Sequence, residues 1–195
     1  MRSALDRLVS WTGLALVALL LVAGGLLTWA TTFIGDQVSQ QLSAQDIVMP
    51  EGDALASLPK GDAAALEQYA GSPLDSGPEA RAYADHYIQA HMDAMAAGKT
   101  YSEISGEYLA LSDADKATEE GQALGQLRQT LFMGNTLRGL LLYGFAFATI
   151  GTIAGYAAVA AFVAAAVLLV LALLGLRHAR QVQPAAQPVR APVTA

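Results

Sequence analysis

The sequence predicts an all-α membrane protein in which two transmembrane helices flank a small, mainly helical extracytoplasmic domain. Three observations carry this prediction. Residues 8–34 form a run of 27 without a formal charge, and residues 139–176 form a second run of 38. Between them, residues 35–138 carry 16 Asp and Glu against 6 Lys and Arg. A helix that crosses a bilayer needs about 20 consecutive apolar residues, so both runs suffice, and a soluble amphipathic helix would show a polar face at every turn. With 54% hydrophobic and 14% charged residues, the composition follows from these two runs.

The first element is a cytoplasmic N-terminus, residues 1–7, followed by a span over 8–34. Orientation follows the Lys and Arg close to the spans. Arg2 and Arg7 precede the first run, and no Lys or Arg follows it until Lys60. Arg177, Arg180 and Arg190 follow the second run, against Arg128 and Arg138 before it. The balance places both termini in the cytoplasm and residues 35–138 outside the plasma membrane. Trp11 and Trp29 are 18 residues apart, about 27 Å along a helix, and suit the two interfacial belts as anchors. The rival reading is a cleaved signal peptide with Thr28-Trp29-Ala30 as the processing site. Signal peptides have apolar cores of about 7–15 residues, so the longer run favours an uncleaved anchor.

In the outer segment, the first helix is expected to run on through GDQVSQQLSA with Val38 and Leu42 on one side. QDIVMPEGD then reads as a short extended piece. The prolines fall at 50, 59, 73, 78, 184, 188 and 192, so loops should concentrate before Pro78 and helices after it. Pro78 to Gly98 is the best soluble helix, with proline and Glu79 in its first turn and a glycine stop. A second helix should start at Ser112, whose S-D-A-D is a capping-box variant, and lead into the membrane behind Leu124, Leu127 and Leu131. Gly121, Gly125, Gly134 and Gly139 weaken that helix, and bends are expected there. The second span, 139–176, is expected as one long tilted helix, in preference to two short spans with a turn near Gly151 to Gly155, its outer part around Tyr143 to Phe147 emerging into the headgroups or packing on the loop. The tail, 177–195, lacks core-forming residues and reads as disordered.

Three clusters invite chemistry. DHYIQAH, residues 85–91, holds two of the three histidines. On an ideal helix Tyr83, Tyr87 and His91 share one face, while His86 is about 140° from His91, so one helix cannot offer both to one metal. His91 is expected in the core and His86 on the wet side, with Tyr87, His91 and Tyr101 as a possible outer-domain contact. DADKATEE, residues 113–120, lacks the central glycine and ligand alternation of a calcium loop and reads as helix capping. GTIAG, residues 151–155, matches the GxxxG pattern of close helix approach. Gly151, Gly155 and Ala158, extended by Ala161 and Ala165, form a small-residue surface that Gly24, Gly25 and Thr28 of the first span could receive; the alternatives are a second copy of the chain or another membrane protein. No charged residue interrupts either span, which argues against an ion pathway through this chain alone.

With its elements placed, the chain resembles a family of small actinobacterial two-span membrane proteins that often carry the label "aromatic ring-opening dioxygenase LigA". The resemblance runs through GGLLTWATTFIGDQVSQQLSAQDIVMPEGD, AYADHYIQAHMDAMAAGKTYSEI and NTLRGLLLYGFAFATIG. Its shared elements are the Thr28-Trp29 that leaves the first span, Gly98-Lys99-Thr100-Tyr101, and Asn135 with Arg138. This chain departs from the family through a longer insertion at about residues 102–125. Ring-opening non-haem iron sites use two histidines and a carboxylate at one centre. Here two histidines point different ways and His178 lies across the membrane, so no catalytic, metal or cofactor residue carries over.

The sequence therefore points to a non-enzymatic accessory or interaction subunit of a cell-membrane assembly, without a cofactor. Its partners would be the lipid bilayer and another membrane protein or a second copy. The net charge of −6 argues against nucleic acid. The alternatives are an extracytoplasmic ligand or metal sensor and the enzyme that the family label names. With no cysteine there is no disulfide or thiolate site.

Overall fold

The computed structural model describes residues 2–181, without the side chains of residues 2–4 and 6. Among these residues it is all-helical, with no strand. The first helix, α1, spans Arg2–Ser43, so the helix does continue beyond Ile34, and the first residues expected only as a terminus are already helical. After a turn at Ala44–Asp46, the extended piece appears as expected. The Met49 amide donates to the Ser72 carbonyl at 2.8 Å and the Leu74 amide to the Ile47 carbonyl at 2.8 Å. These bonds pin the two loops together beside a single bridge, Val48 to Pro73.

The stretch before Pro78 is more helical than expected. It contains α2 (Asp53–Ala56), α3 (Lys60–Leu66) and a 3-10 turn, Glu67–Tyr69. Pro59 stands at the N-cap of α3, where a missing N–H costs nothing, so here proline starts a helix instead of excluding one. The best soluble helix lies where it was predicted, as α4 (Gly77–Ala82), a π-helical stretch (Tyr83–Ile88) and α5 (Gln89–Ala96). Ser76 and Glu79 form a capping box at its start. Ala97 and Gly98, both left-handed at φ 52° and 78°, end it, and the Gly98 amide returns to the Asp93 carbonyl at 2.8 Å.

Helix α6, Tyr101–Ala110, lies in the segment read only as an insertion. Its signal is a T-x-x-E capping box. The Thr100 amide donates to the Glu103 carboxylate at 2.7 Å, and the Glu103 amide to the Thr100 hydroxyl at 3.3 Å. Ser112 does cap a helix, but α7 (Asp113–Lys116) is a single turn. Thr118 then caps a fresh start, accepting the Gly121 amide at 3.1 Å, and α8 runs unbroken from Glu119 to Gln181. Residues 177–181 of the predicted tail are therefore helical, and the rest of the tail lies outside the described residues. Most of the α8 glycines expected to bend the helix are instead points of close approach. A Cβ on Gly125 would stand 2.9 Å from the Tyr108 ring, and one on Gly134 2.5 Å from the Met92 sulfur.

The chain divides into two units: residues to Ala30 with those from Ile153, and residues Thr31–Thr152. In the first unit, α1 buries Ser10 and Val17 while α8 buries Ala158, Ala165, Ala172 and Ala179, every seventh residue. Contacts of Gly13 with Ala172 and of Gly24 with Phe162 set an antiparallel register. A seven-residue repeat of small residues is the signature of a left-handed helix pair whose backbones approach closely. The second unit has two small cores. Leu42 of α1 and Leu141 of α8 join Met49, Leu66, Leu74 and the alanines of α4. Leu131 of α8 joins Met92, Ala96 and Ile104. Over Arg7–Ser43 and Glu119–Gln181 the two long helices are long and apolar enough to cross a membrane.

Candidate functional site: a polar hollow and a helix seam

The predicted packing residues occupy distinct environments. Gly24 lies under the Phe162 ring, 2.9 Å from where a Cβ would be. The Thr28 hydroxyl donates to the Gly24 carbonyl one turn back, at 2.8 Å. Gly25 faces open space, with nothing within 4 Å of an added Cβ. Gly151 is buried, and its neighbours are Ile34, 3.2 Å from an added Cβ, and Thr31, whose hydroxyl donates to the Gly151 carbonyl at 3.1 Å. It thus meets α1 at Thr31 and Ile34, just beyond the expected Gly24-to-Thr28 patch. Gly155 is half-buried and Ala158 is 4% exposed. Trp11 and Trp29 both project from α1 at 65% exposure.

In the second unit, three separate stretches meet around one hollow of about 630 Å³. Gly98–Thr100 with the first residues of α6, Tyr101 and Ser102, supply one wall, Gln89, Met92 and Asp93 of α5 a second, and Leu131, Asn135 and Arg138 of α8 a third. The Gly98-Lys99-Thr100-Tyr101 segment is thereby placed beside Asn135 and Arg138. Tyr101 packs on Phe132 with ring centroids 5.9 Å apart.

Arg138 is positioned by the π-helical stretch. In an α-helix the Ala84 carbonyl would be engaged four residues on; here it accepts the Gln89 amide, five residues on. The widened turn leaves this oxygen open to the side, and Arg138 Nε donates to it at 2.9 Å. The same guanidinium reaches Asp85 Oδ1 at 3.0 Å, and Arg81 reaches the other Asp85 oxygen at 3.6 Å. The Arg138 side chain is only 22% exposed, which makes its bonds stronger than those of a surface pair.

Tyr83, Tyr87 and His91 do share a face. Their rings follow one another at 4.8 Å and 4.4 Å. His91 is nevertheless exposed, which corrects its expected place in the core. Its Nδ1 bonds the Tyr87 carbonyl at 2.8 Å, and its ring lines a shallow apolar groove beside the hollow together with Met95 and Met133. Tyr101 lies in the hollow and not in that groove, although both contain Met92 and Phe132. His86 is half-buried, its Nδ1 2.9 Å from Asp62 Oδ1 of α3. The two histidines thus serve different neighbours. No group of three His, Cys, Asp or Glu is placed to hold a metal among the described residues.

Two carboxylates, Glu79 and Glu103, cap the starts of α4 and α6. Burial opposes ionisation of Glu79, but hydrogen bonds from the Ser76 hydroxyl, the Asp75 amide, the Ser72 hydroxyl and the Ser76 amide outweigh it and lower its pKa. Bonds from the Thr100 amide and hydroxyl, with Lys99 nearby, lower that of Glu103. Burial, with Tyr87 beside it, raises that of Tyr83. No family model matches the chain, and neither a curated protein nor a solved structure is similar to it.

Proposed function

We propose that this protein is a non-enzymatic accessory subunit of a membrane assembly. Two transmembrane helices hold a small helical domain on the extracytoplasmic side of the cell membrane, with both termini in the cytoplasm. There the domain meets a partner membrane protein. One observation carries the reading: the two apolar helices run on as helix beyond their apolar stretches, and these continuations supply Leu42 and Leu131 to the cores of the second unit, beside Leu141 from the start of the second stretch. A domain built on the continuations of its own anchors is suited to presenting a surface at the membrane. The small residues Ala158, Ala165 and Ala172 are consumed within the chain, which leaves the second unit as the stronger candidate for contact with a partner. Purification in mild detergent after crosslinking in cells tests this. A defined partner is expected at fixed stoichiometry; a chain that runs alone as a monomer and crosslinks to nothing ends the proposal.

The hollow between Gly98–Ser102 and Arg138 supports a second reading, an extracytoplasmic sensor of a small polar ligand. A ligand at a hundred times its Kd would stabilise the protein by about 2.7 kcal/mol. Thermal unfolding of the full chain against a panel of polar metabolites and divalent metals is therefore the test. Stabilisation that Asn135→Leu abolishes supports the sensor, and no stabilisation by any of them removes it.

A further inference from the structure

Three of the five methionines line one groove of about 540 Å³ between α5 and α8. Met92 and Met95 come from α5 and Met133 from α8, with His91 of α5 beside them. Met95 follows Met92 by three residues and His91 by four, the two spacings at which helical side chains are surface neighbours. The Met92 sulfur lies against Gly134, the residue after Met133, 2.5 Å from where a Cβ would be. Met92 belongs to a core and is 4% exposed, whereas Met95 and Met133 are 51% and 60% exposed and fill none. Methionine is unbranched and turns freely about its side-chain bonds. The two exposed thioethers can therefore swing towards the third and the imidazole without moving either helix.

His91 is prepared as a ligand by its own backbone. A carbonyl only accepts, so the 2.8 Å bond to the Tyr87 carbonyl puts a proton on Nδ1. In the neutral ring Nε2 then keeps its lone pair, the arrangement by which metal-binding histidines fix their tautomer and ring orientation. The groove lining contains no charged residue, and no trio of His, Cys, Asp or Glu is placed to hold a metal among the described residues. Calcium, magnesium and manganese take carboxylate-rich oxygen shells, and zinc takes imidazole, thiolate or carboxylate. Thioether sulfur is a soft donor and selects monovalent copper. Charge agrees with softness. The cost of taking an ion out of water rises with the square of its charge, so a groove without an anion admits a monovalent cation far more readily than a divalent one.

We infer that the groove between α5 and α8 binds one monovalent copper ion through the sulfurs of Met92, Met95 and Met133 and through His91 Nε2. The inference goes beyond the accessory and sensor readings, and needs neither a partner protein nor a ligand in the hollow. The test uses the full chain in mild detergent and two probes. Ag(I) is equally soft and redox-inert; Cu(I) is kept reduced by ascorbate and added in competition with bicinchoninate. The expected result is one ion bound per chain. In NMR spectra of the methionine methyl groups, Ag(I) should shift Met92, Met95 and Met133 and leave Met49, buried in the other core, unmoved. Zn(II) at the same concentration should shift none of them. Met95→Leu combined with Met133→Leu keeps the apolar volume at two exposed positions, so the Tm should hold while the Cu(I) affinity falls at least about tenfold. No uptake, uptake that the folded double variant leaves unchanged, shifts that spare these three methyl groups, or equal binding of Zn(II) overturns the inference. The methyl shifts are read on the wild-type chain, so they decide the matter even where a variant misfolds.

Discussion

A single carboxylate, Glu79, holds the start of the outer helix to the loop before it. It accepts four hydrogen bonds, from the hydroxyls of Ser72 and Ser76 at 3.0 and 2.8 Å and from the amides of Asp75 and Ser76 at 3.1 and 3.0 Å. Glu79→Gln turns one acceptor oxygen into a donor facing donors. It should destabilise the second unit by about 1–2 kcal/mol, read from thermal or denaturant unfolding. The pH dependence follows from the sign of the shift. A carboxylate whose folded pKa is below its ordinary 4.5 contributes stability that is full above that value and is lost as pH falls through the folded one. The wild-type Tm should therefore drop below about pH 4.5. Glu79→Gln should flatten part of that drop and leave the part due to Glu103, which is shifted the same way. Both caps are legible in the sequence as S-x-x-E and T-x-x-E. The exposure of His91 is not, because an ideal helical wheel gives the face a residue occupies but not what covers that face.

Among the elements, the π-helical stretch and the small-residue seam depend most on partners distant in sequence. Arg138 donates to the side of a carbonyl that only the widened turn leaves open. Arg138→Met should cost about 1–3 kcal/mol and speed amide hydrogen exchange at Gln89, whose N–H shares that carbonyl. Unchanged exchange at Gln89 would show that the π turn stands without the arginine. In the seam, Ala165 is 1% exposed and faces α1 within the first unit, whereas Ala166 is exposed. Ala165→Leu overpacks the pair and should cost about 1–3 kcal/mol in detergent unfolding, while Ala166→Leu should be close to neutral. Equal effects would contradict the seven-residue seam. The GxxxG pattern was visible in the sequence as a place of close approach. Its partner was not, since a small residue reveals that something comes near without saying which turn of the other helix does so.

At the scale of the whole molecule, the absence of cysteine makes the proposed topology directly testable. Ala56→Cys, exposed in the second unit, should react with a membrane-impermeant maleimide in intact cells. His178→Cys, exposed near the end of α8, should react only after permeabilisation. The reverse pattern would invert the topology, and labelling of both in intact cells would break the two-span reading. The sequence by itself determined the two long apolar helices, the helix from Pro78 to Gly98 and the continuation of α1 past Ile34. Each of these is written in local composition, capping residues and periodicity, which act within a few turns of chain. Only the tertiary structure decided that most of the α8 glycines are contact points instead of bends. The same holds for the meeting of Gly98–Tyr101 with Asn135 and Arg138 around one hollow. Those outcomes depend on the register between α1 and α8 and on what packs against them, and such pairings join residues far apart in the chain that no local pattern encodes.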